Sequence, residues 1–285
     1  MKNRAVLPVM IAPAIALFIF TCLAPLIVTG RLSFYASDYQ TKEFVGLKNF
    51  ELALTDYYFQ KSFLNALIFT VFYVPAMIVT GYKFAVMLVA FSNKTQAGFR
   101  LVLYLPGLAA GLIISLLWRW MLQHDGLINQ LLSLVDIAPI LWLAYPWPAR
   151  AALAMMLMSV SVGGTVIYFT AALCRIPPEV HDAAVVDGAS WGQYKRYVLL
   201  PLMMPMILLL LLIGIVGAMS VWEFVYVLYK GGGPEGSVAT PVYEIFRTAF
   251  NLGQQGRAAA KGLIFLVVVA SMIALKQRVE KWVKV

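Results

Sequence analysis

The stretch I-P-P-E-V-H-D-A-A-V-V-D-G-A-S-W-G-Q-Y-K-R-Y-V-L-L-P-L-M-M-P, residues 176–205, contains the start and stop signals of two short helices. The Pro177–Pro178 pair suits a first helical turn, where a missing N–H costs nothing. Gly188 suits the end of that helix, because glycine enters the left-handed backbone region without a Cβ clash. Ser190 with Gln193 three residues later predicts a capping box that opens a second helix. The stretch therefore predicts a helix–turn–helix.

The rest of the sequence is too apolar for a soluble domain. Of its 285 residues, 62% are hydrophobic and only 12% are charged, whereas soluble domains have about 25% charged residues. Several apolar runs reach the roughly 20 residues that cross a bilayer core. We predict an all-α transmembrane protein with one domain, residues 1–285, and a helix–turn–helix loop at 176–201. Its six spans are expected at about 5–32, 61–91, 101–122, 147–173, 202–228 and 258–275.

The first apolar segment has two interpretations. A charged tail before an apolar core is typical of a cleaved signal peptide. However, the run at 5–32 is longer than the apolar part of a signal, and no clear small-x-small site ends it. We therefore predict an uncleaved span. Between the spans we expect an external loop with some short helix at 33–60, a tight loop at 92–100 and an amphipathic segment at 123–146.

Six spans would place both termini and the 176–201 loop on one side of the membrane. Eleven Lys and Arg lie on this side, in the two tails, in the loop at 92–100 and in the 176–201 loop with the adjacent Arg175. The opposite loops, taken as 34–60, 123–147 and 229–256, contain four. The positive-inside rule then assigns the first side to the cytoplasm. The same distribution explains the net charge of +9. Because the cations form no basic stripe, we expect membrane lipid and no nucleic acid as a partner.

Metal and cofactor chemistry have little support in this sequence. Cys22 and Cys174 lie in or beside apolar segments without C-x-x-C spacing, and only two histidines occur. Both cysteines fit small hydrophobic residues in a membrane protein. We therefore expect no metal site and no cofactor bound by this chain.

The 176–201 loop also has apolar side chains that water does not favour, and on a cytoplasmic loop they would be exposed: Val185, Val186, Ala189, Trp191 and Tyr194. An exposed apolar patch usually meets a partner. Residues 182–189, D-A-A-V-V-D-G-A, followed by L-P at 200–201, resemble the EAA loop of bacterial ABC importer permeases. We therefore name residues 176–201 the coupling loop.

Other stretches resemble one branch of those permeases, the binding-protein-dependent sugar permeases of the maltose and glycerol-3-phosphate type. The resemblance covers nearly the whole chain in the same order. The stretches are V-G-L-K-N-F at 45–50, F-L-N-A-L at 63–67, L-Y-L-P at 103–106, L-L-W-R-W at 116–120, G-L-I-N at 126–129 and V-Y-V-L-Y-K-G-G-G-P at 225–234.

The resemblance implies a type I ABC importer permease in the bacterial inner membrane. It also implies a second, similar permease subunit, two ATP-binding subunits that hold ATP and Mg, and an extracytoplasmic binding protein that delivers a carbohydrate-like solute. In this family the coupling loop docks into a groove of the ATPase. The residues that this role assigns are Glu179, Asp182, Ala183, Ala184, Asp187, Gly188, Ala189 and Trp191.

Two positions of the coupling loop depart from the family pattern. Asp182 stands where the family has Glu, so its carboxylate is one methylene shorter. Lys195 stands where an aromatic residue is usual, although Tyr194 and Tyr197 lie beside it. These departures affect the details of the ATPase contacts.

The chain is not expected to be an enzyme. The stretch K-G-G-G-P-E-G-S at 230–237 lacks the G-K-[ST] ending of a phosphate-binding loop. No intramembrane pairing of His and Asp that would suggest nucleophilic catalysis is visible in the sequence. The energy for transport must therefore come from partner subunits.

Polar residues within apolar segments are candidates for the solute pathway, because an ionised side chain at the bilayer centre costs at least ~2.5–3.5 kcal/mol. Glu223 fits such a role or a structural pair with a neighbouring subunit, and Arg119 fits a cavity or an interfacial position. Serine and threonine in spans often bond only backbone carbonyls. A lone secondary carrier or channel remains the alternative function, although a carrier would favour paired broken helices. The pathway candidates are Asn65, Ser161, Thr165, Trp222 and Glu223.

Overall fold

The computed structural model describes residues 6–37, 42–109 and 111–282. Within these residues, five helices are long and apolar enough to cross a membrane. A sixth candidate is a bent pair of helices, so the prediction of an all-α, multi-span membrane protein is confirmed. The predicted basic tail at 1–4, Asp38 and Lys284 lie outside the described residues. The five helices are Ile11–Leu32, Tyr57–Val89, Pro146–Leu173, Met204–Leu228 and Gln255–Lys281.

The first span contains helix α1 (Val6–Phe18), a π-helical turn (Ile19–Leu23) and helix α2 (Ala24–Leu32). None of its most apolar window is buried within the chain, and Phe20 is 80% exposed. An apolar helix without a covered face is stable only in lipid or against another subunit, because water would hydrate its side chains unfavourably.

The segment at 33–60 contains the short helix that was predicted for it and a β-hairpin that was not. Strand β1 (Tyr35–Ser37) pairs antiparallel with β2 (Lys42–Phe44), and helix α3 (Lys48–Leu54) follows. The Nδ2 atom of Asn49 donates to the carbonyls of Ser33 (2.9 Å) and Tyr35 (2.8 Å). The buried amide therefore holds the hairpin to α3, a contact that propensity cannot predict.

The third span differs from its prediction. Helix α5 (Asn93–Leu108) begins in the segment that was predicted as a tight loop, because the Ser92 side chain accepts from the N–H of Thr95 and caps it. Helix α6 (Gly111–Met121) follows at an angle of 94°. Ala109 between them has an extended backbone, three residues after Pro106. Residues 101–122 therefore contain a bent pair of helices and not one continuous helix.

Helix α4 (Tyr57–Val89), the short α7 (Leu127–Ser133) and α8 (Pro146–Leu173) precede the coupling loop.

The fifth span is also broken. Helix α12 (Met204–Ser220) then ends at an extended Val221, and α13 (Glu223–Leu228) continues the span. The chain closes with α14 (Pro241–Phe246), a π-helical turn (Arg247–Asn251) and α15 (Gln255–Trp282). The remaining helices, α9 (Pro178–Val186), α10 (Trp191–Gln193) and α11 (Leu200–Leu202), lie in or beside the coupling loop.

The described residues form two compact units. The first contains residues up to Gln60 together with Glu244–Val268, and the second contains Lys61–Tyr243 with the residues from Val269 onward. In the second unit, α8 is central to the core, and its Ala149, Ala152 and Leu153 are fully buried. Nothing in the sequence pattern predicted this division, because distant segments of the chain meet in the first unit.

Two membrane helices of the second unit approach closely at a glycine. A Cβ added at Gly163 of α8 would lie 2.2 Å from the carbonyl oxygen of Leu103 in α5. Only glycine allows this backbone contact. Small residues such as the Gly163–Gly164 pair are typical of close helix packing in membranes, and the close approach occurs at Gly163, whereas the nearest atom to an added Cβ at Gly164 is 3.9 Å away.

Candidate functional site: the coupling loop and the broken spans

The coupling loop has the local structure that its sequence predicts. Helix α9 ends at Val186, and Gly188 follows with a φ of +73°. The Ser190 side chain accepts from the N–H of Gln193, whose side chain accepts from the N–H of Ser190 at 2.7 Å. The predicted glycine stop and capping box are therefore confirmed. Helix α10 then passes into a π-helical turn (Tyr194–Leu199) that leads to the fifth span.

Most of the residues assigned to ATPase docking are accessible. Glu179, Asp182, Ala183, Asp187, Gly188 and Trp191 are exposed, and Ala189 is half-buried. Ala184 is instead buried in a core cluster of the protein. Beside these residues, Val186 is 87% exposed, so the loop surface has an apolar patch as well as the three exposed carboxylates of Glu179, Asp182 and Asp187.

Aromatic side chains join the two halves of the loop. The ring of Tyr194 stacks on Trp191 with centroids 5.5 Å apart, and the His181 ring meets Tyr194 edge-on at 4.9 Å. The Lys195 ammonium lies 4.7 Å from the centroid of Trp191. Lys195 therefore keeps contact with an aromatic ring, although it replaces the aromatic residue that the family usually has.

Tyr194 also anchors the loop to the membrane spans. It is 7% exposed and belongs to a core cluster with Ala85 of α4, Phe169 of α8 and Leu210 of α12. Tyr82 of α4 meets Phe169 edge-on at 5.7 Å. The expectation that Tyr194 is exposed on the loop is therefore wrong, because the fold buries this ring in a cluster that three spans share.

The breaks in the third and fifth spans meet at Glu223. The carboxylate of Glu223 lies against Gly111, where an added Cβ would be 1.7 Å from its Oε2. Gly111 is the first residue of α6, and the N-terminal end of a helix favours negative charge. The carbonyl of Val221, freed by the break, accepts from the Thr240 hydroxyl at 2.5 Å. Two helix ends and one partly buried acid thus form a polar site within apolar helices.

Three other pathway candidates make contacts with backbone. The Nδ2 atom of Asn65 donates to the carbonyls of Gly236 (2.8 Å) and Ala239 (3.0 Å). The hydroxyls of Ser161 and Thr165 donate to carbonyls one turn back in α8. These contacts favour a structural role for all three, whereas Trp222 and Glu223 lie at the break itself.

Cationic side chains of neighbouring spans contact the glycine-rich stretch at 230–237. Its Gly231, Gly232 and Gly233 all have positive φ. The Lys61 ammonium donates to the carbonyl of Glu235 at 2.6 Å, and the Nε of Arg150 donates to the carbonyl of Ser237 at 3.3 Å. The carbonyls of Glu235 and Ser237 therefore accept from side chains of the α4 and α8 spans.

A charged cluster in the first unit was missed by sequence reasoning. Asp56 caps α4 and forms ion pairs of 2.8 Å with both Arg257 and Lys261. Lys261 is only 1% exposed and also donates to Thr248 at 2.8 Å. Nearby, Glu244 is 1% exposed and pairs with Arg247 at 3.1 Å. Since these residues are far apart in sequence, only the fold could reveal the cluster.

Comparison with known proteins places this fold in a class of membrane permeases. Residues 58–285 match the family described as "Binding-protein-dependent transport system inner membrane component". The chain belongs to this family. It is therefore the permease subunit of an ABC importer and not an enzyme, and the family predicted from the coupling loop is confirmed.

Several relatives are similar over nearly their full length. The probable ABC transporter permease protein YesP of Bacillus subtilis is 32% identical over 268 residues, which cover 91% of this chain and 85% of the relative. The lactose transport system permease protein LacF of Rhizobium radiobacter is 28% identical, with 94% and 91% covered. The trehalose/maltose permease protein MalF of Thermococcus litoralis is 26% identical, with 96% and 92% covered.

A solved structure shows the same fold. A chain of a bacterial ABC transporter that imports the acidic polysaccharide alginate superimposes with a TM-score of 0.84 at 22% identity. The match covers 98% of this chain and 96% of the other. A second structure of an alginate transporter, in complex with a periplasmic protein that holds an alginate pentasaccharide, superimposes with a TM-score of 0.85.

Proposed function

We propose that this chain imports a sugar or a related polar solute, which an extracytoplasmic binding protein delivers. A second, similar permease subunit would complete the pathway, and two ATP-binding subunits would supply the energy with ATP and Mg. The names of the relatives support a carbohydrate, since they include transporters of lactose and of trehalose/maltose.

The coupling loop is the observation that carries this proposal. It presents Asp182, Asp187 and an apolar patch outward, while Tyr194 fixes it to a core that α4, α8 and α12 share. A rigid displacement of the loop by an ATPase would therefore move three spans together. Such a two-state element can be biased by nucleotide at one end and by solute at the other. The excess of Lys and Arg beside the loop supports a cytoplasmic position for it and for both termini.

We place the solute contact at the broken spans. Trp222 offers an aromatic face and Glu223 offers hydrogen-bond acceptors, the groups that commonly recognise sugars. Discontinuous membrane helices often build such sites, because their ends expose polar backbone. If Trp222 and Glu223 touch solute, their alanine variants must lose apparent affinity or rate in an uptake assay. Unchanged uptake by both variants would reject this placement.

Substitution of Gly188 tests the coupling role. Gly188→Val should be inserted normally but should not stimulate ATP hydrolysis when solute-loaded binding protein is added, because a branched side chain is strongly disfavoured at a φ of +73°. The matched control is Gly217→Val, where an added Cβ meets nothing within 4 Å. Stimulation of Gly188→Val to the wild-type level would refute the coupling role.

Purification distinguishes the proposal from a lone carrier or channel. A permease subunit should co-purify with an ATPase in roughly fixed proportion. Uptake by the isolated chain in vesicles without ATP or an ATPase would instead support the carrier.

A further inference from the structure

A cleft of about 680 Å³ lies in the second unit where two spans leave the coupling loop. One wall is formed by the end of α8 and the start of α9, and the other by α11 and the first turns of α12. Its lining is almost entirely apolar, and Arg175 is the one charged residue in it. The residues that form its walls include Ala171, Ala172, Val180, Leu202, Met206 and Leu209.

The position of the cleft matches the boundary between hydrocarbon and headgroups. The span of α8 ends at Leu173, and the span that contains α12 begins at Met204. The cleft extends from these two ends towards Leu209. A molecule in it would have one end among apolar side chains inside the membrane and the other at the level where lipid phosphates lie.

Arg175 has no acidic partner in the described part of the chain, and it is exposed. By contrast, Arg247, Arg257 and Lys261 all form ion pairs with acids. A guanidinium presents several donors in a planar fork that matches phosphate oxygens. A basic residue at the mouth of an apolar cleft between membrane helices is the arrangement that binds lipid headgroups.

We propose that this cleft binds an anionic phospholipid, with the phosphate on Arg175 and an acyl chain along α12. A soluble phosphate would not need the apolar walls, and an apolar helix of another subunit would leave the cation unpaired. The bound lipid contacts Val180 near the start of the coupling loop and Leu202 directly after its end. It therefore braces the loop against the spans that the loop moves.

Native mass spectrometry of the purified transporter complex tests this site. The complex is titrated with palmitoyl-oleoyl phosphatidylglycerol and, separately, with the matching zwitterionic phosphatidylcholine. Wild type should bind one phosphatidylglycerol about tenfold more tightly than phosphatidylcholine, because the choline ammonium offsets the phosphate charge beside Arg175, whereas phosphatidylglycerol keeps a net negative charge there. Arg175→Gln should bind both lipids equally.

Two further variants complete the test. Arg196→Gln is the matched control, because Arg196 is also exposed on the coupling loop but does not line the cleft. It should keep the wild-type preference. Ala172→Trp should weaken retention of both lipids by filling the apolar part.

Three outcomes would overturn the proposal. In the first, wild type has no preference for the anionic lipid, and in the second Arg175→Gln keeps the preference. In the third, Arg175→Gln sheds a permease subunit while lipid binding is unchanged, which would make the cleft a protein interface. All of these readouts are independent of the solute and of ATPase coupling.

Discussion

Lys261 has a nearly fully buried ammonium group in a helix that is apolar enough to cross a membrane. An unpaired charge in that position would cost several kcal/mol. Its contacts with Asp56 and Thr248, at 2.8 Å each, offset the cost. The ammonium also lies 5.2 Å from the ring centroid of Phe59. Lys261 therefore connects the start of α4 with α15 and with the turn before α15.

This cluster predicts how stability responds to acid. Burial alone would raise the pKa of Asp56, but the hydrogen bond and charge of Lys261, with the charge of Arg257, hold that pKa below its ordinary value of 3.8. A carboxylate with a depressed pKa in the folded state stabilises the fold above its ordinary pKa, and the contribution is lost as the pH falls through the depressed value. The melting temperature of the wild type should therefore decrease as the pH is lowered from about 5 to about 2.

The variant Asp56→Asn checks this response. It should be less stable at neutral pH, because it leaves two buried or half-buried cations without their carboxylate, and its melting temperature should vary less with acid. Asp125→Asn is the control, since the Asp125 side chain is 94% exposed. Equal acid sensitivity in wild type and Asp56→Asn would contradict the assignment. Glu244 acts in the opposite direction, because burial raises its pKa and its contribution is lost as the pH rises.

The position of Glu223 can be tested without changing Glu223. In Gly111→Ala the new methyl group would overlap the carboxylate, whose flexible end must move. We expect normal insertion but an apparent affinity for solute that is weaker by about tenfold, as for the loss of one charged hydrogen bond. Gly217→Ala, which adds a methyl group in open space, should transport normally. Unchanged affinity in Gly111→Ala would remove Glu223 from the solute site, and loss of complex assembly would indicate a subunit contact.

At the scale of elements, three asparagines show why the short resemblance motifs matter structurally. The stretches at 45–50, 63–67 and 126–129 each contain one buried asparagine, respectively Asn49, Asn65 and Asn129. Each donates its side-chain amide to two or three backbone carbonyls of a neighbouring loop. Asn129 also accepts from the indole N–H of Trp142 at 3.0 Å. A buried loop needs such partners for its carbonyls.

The proposed displacement of the coupling loop as one element requires Tyr194 to stay packed. Tyr194→Ala should abolish most solute-stimulated ATP hydrolysis, because removal of a buried ring costs about 3–5 kcal/mol and detaches the loop from its core. Tyr194→Phe keeps the ring and should retain activity, which excludes general misfolding as the cause. Tyr197→Ala is the matched control, since Tyr197 is 68% exposed on the same loop. Full stimulation in Tyr194→Ala at equal complex yield would show that the anchor is dispensable.

At the scale of the whole molecule, the spans leave much of their apolar surface uncovered by the chain itself. The most apolar windows of the five helices that are long enough to cross a membrane are at most 44% buried, and the first is not buried at all. In a membrane protein that surface meets lipid or other subunits, since lipid tails are as apolar as the side chains. The exposed surface is thus consistent with a subunit that works beside a second permease.

The sequence by itself determined the class of protein, the order of the spans and the local structure of the coupling loop. These properties follow from hydrophobic length and from capping residues, such as Gly188 and Ser190, that act within a few positions of the chain. The tertiary structure alone decided that Glu223 meets Gly111, that Asp56 pairs with Lys261 and that Tyr194 joins three spans. Such contacts join residues far apart in the sequence, so no periodicity or spacing encodes them. The break between α5 and α6 has a share of both. The sequence contains Pro106 and Gly111 beside it, but the 94° angle between the two helices depends on tertiary packing.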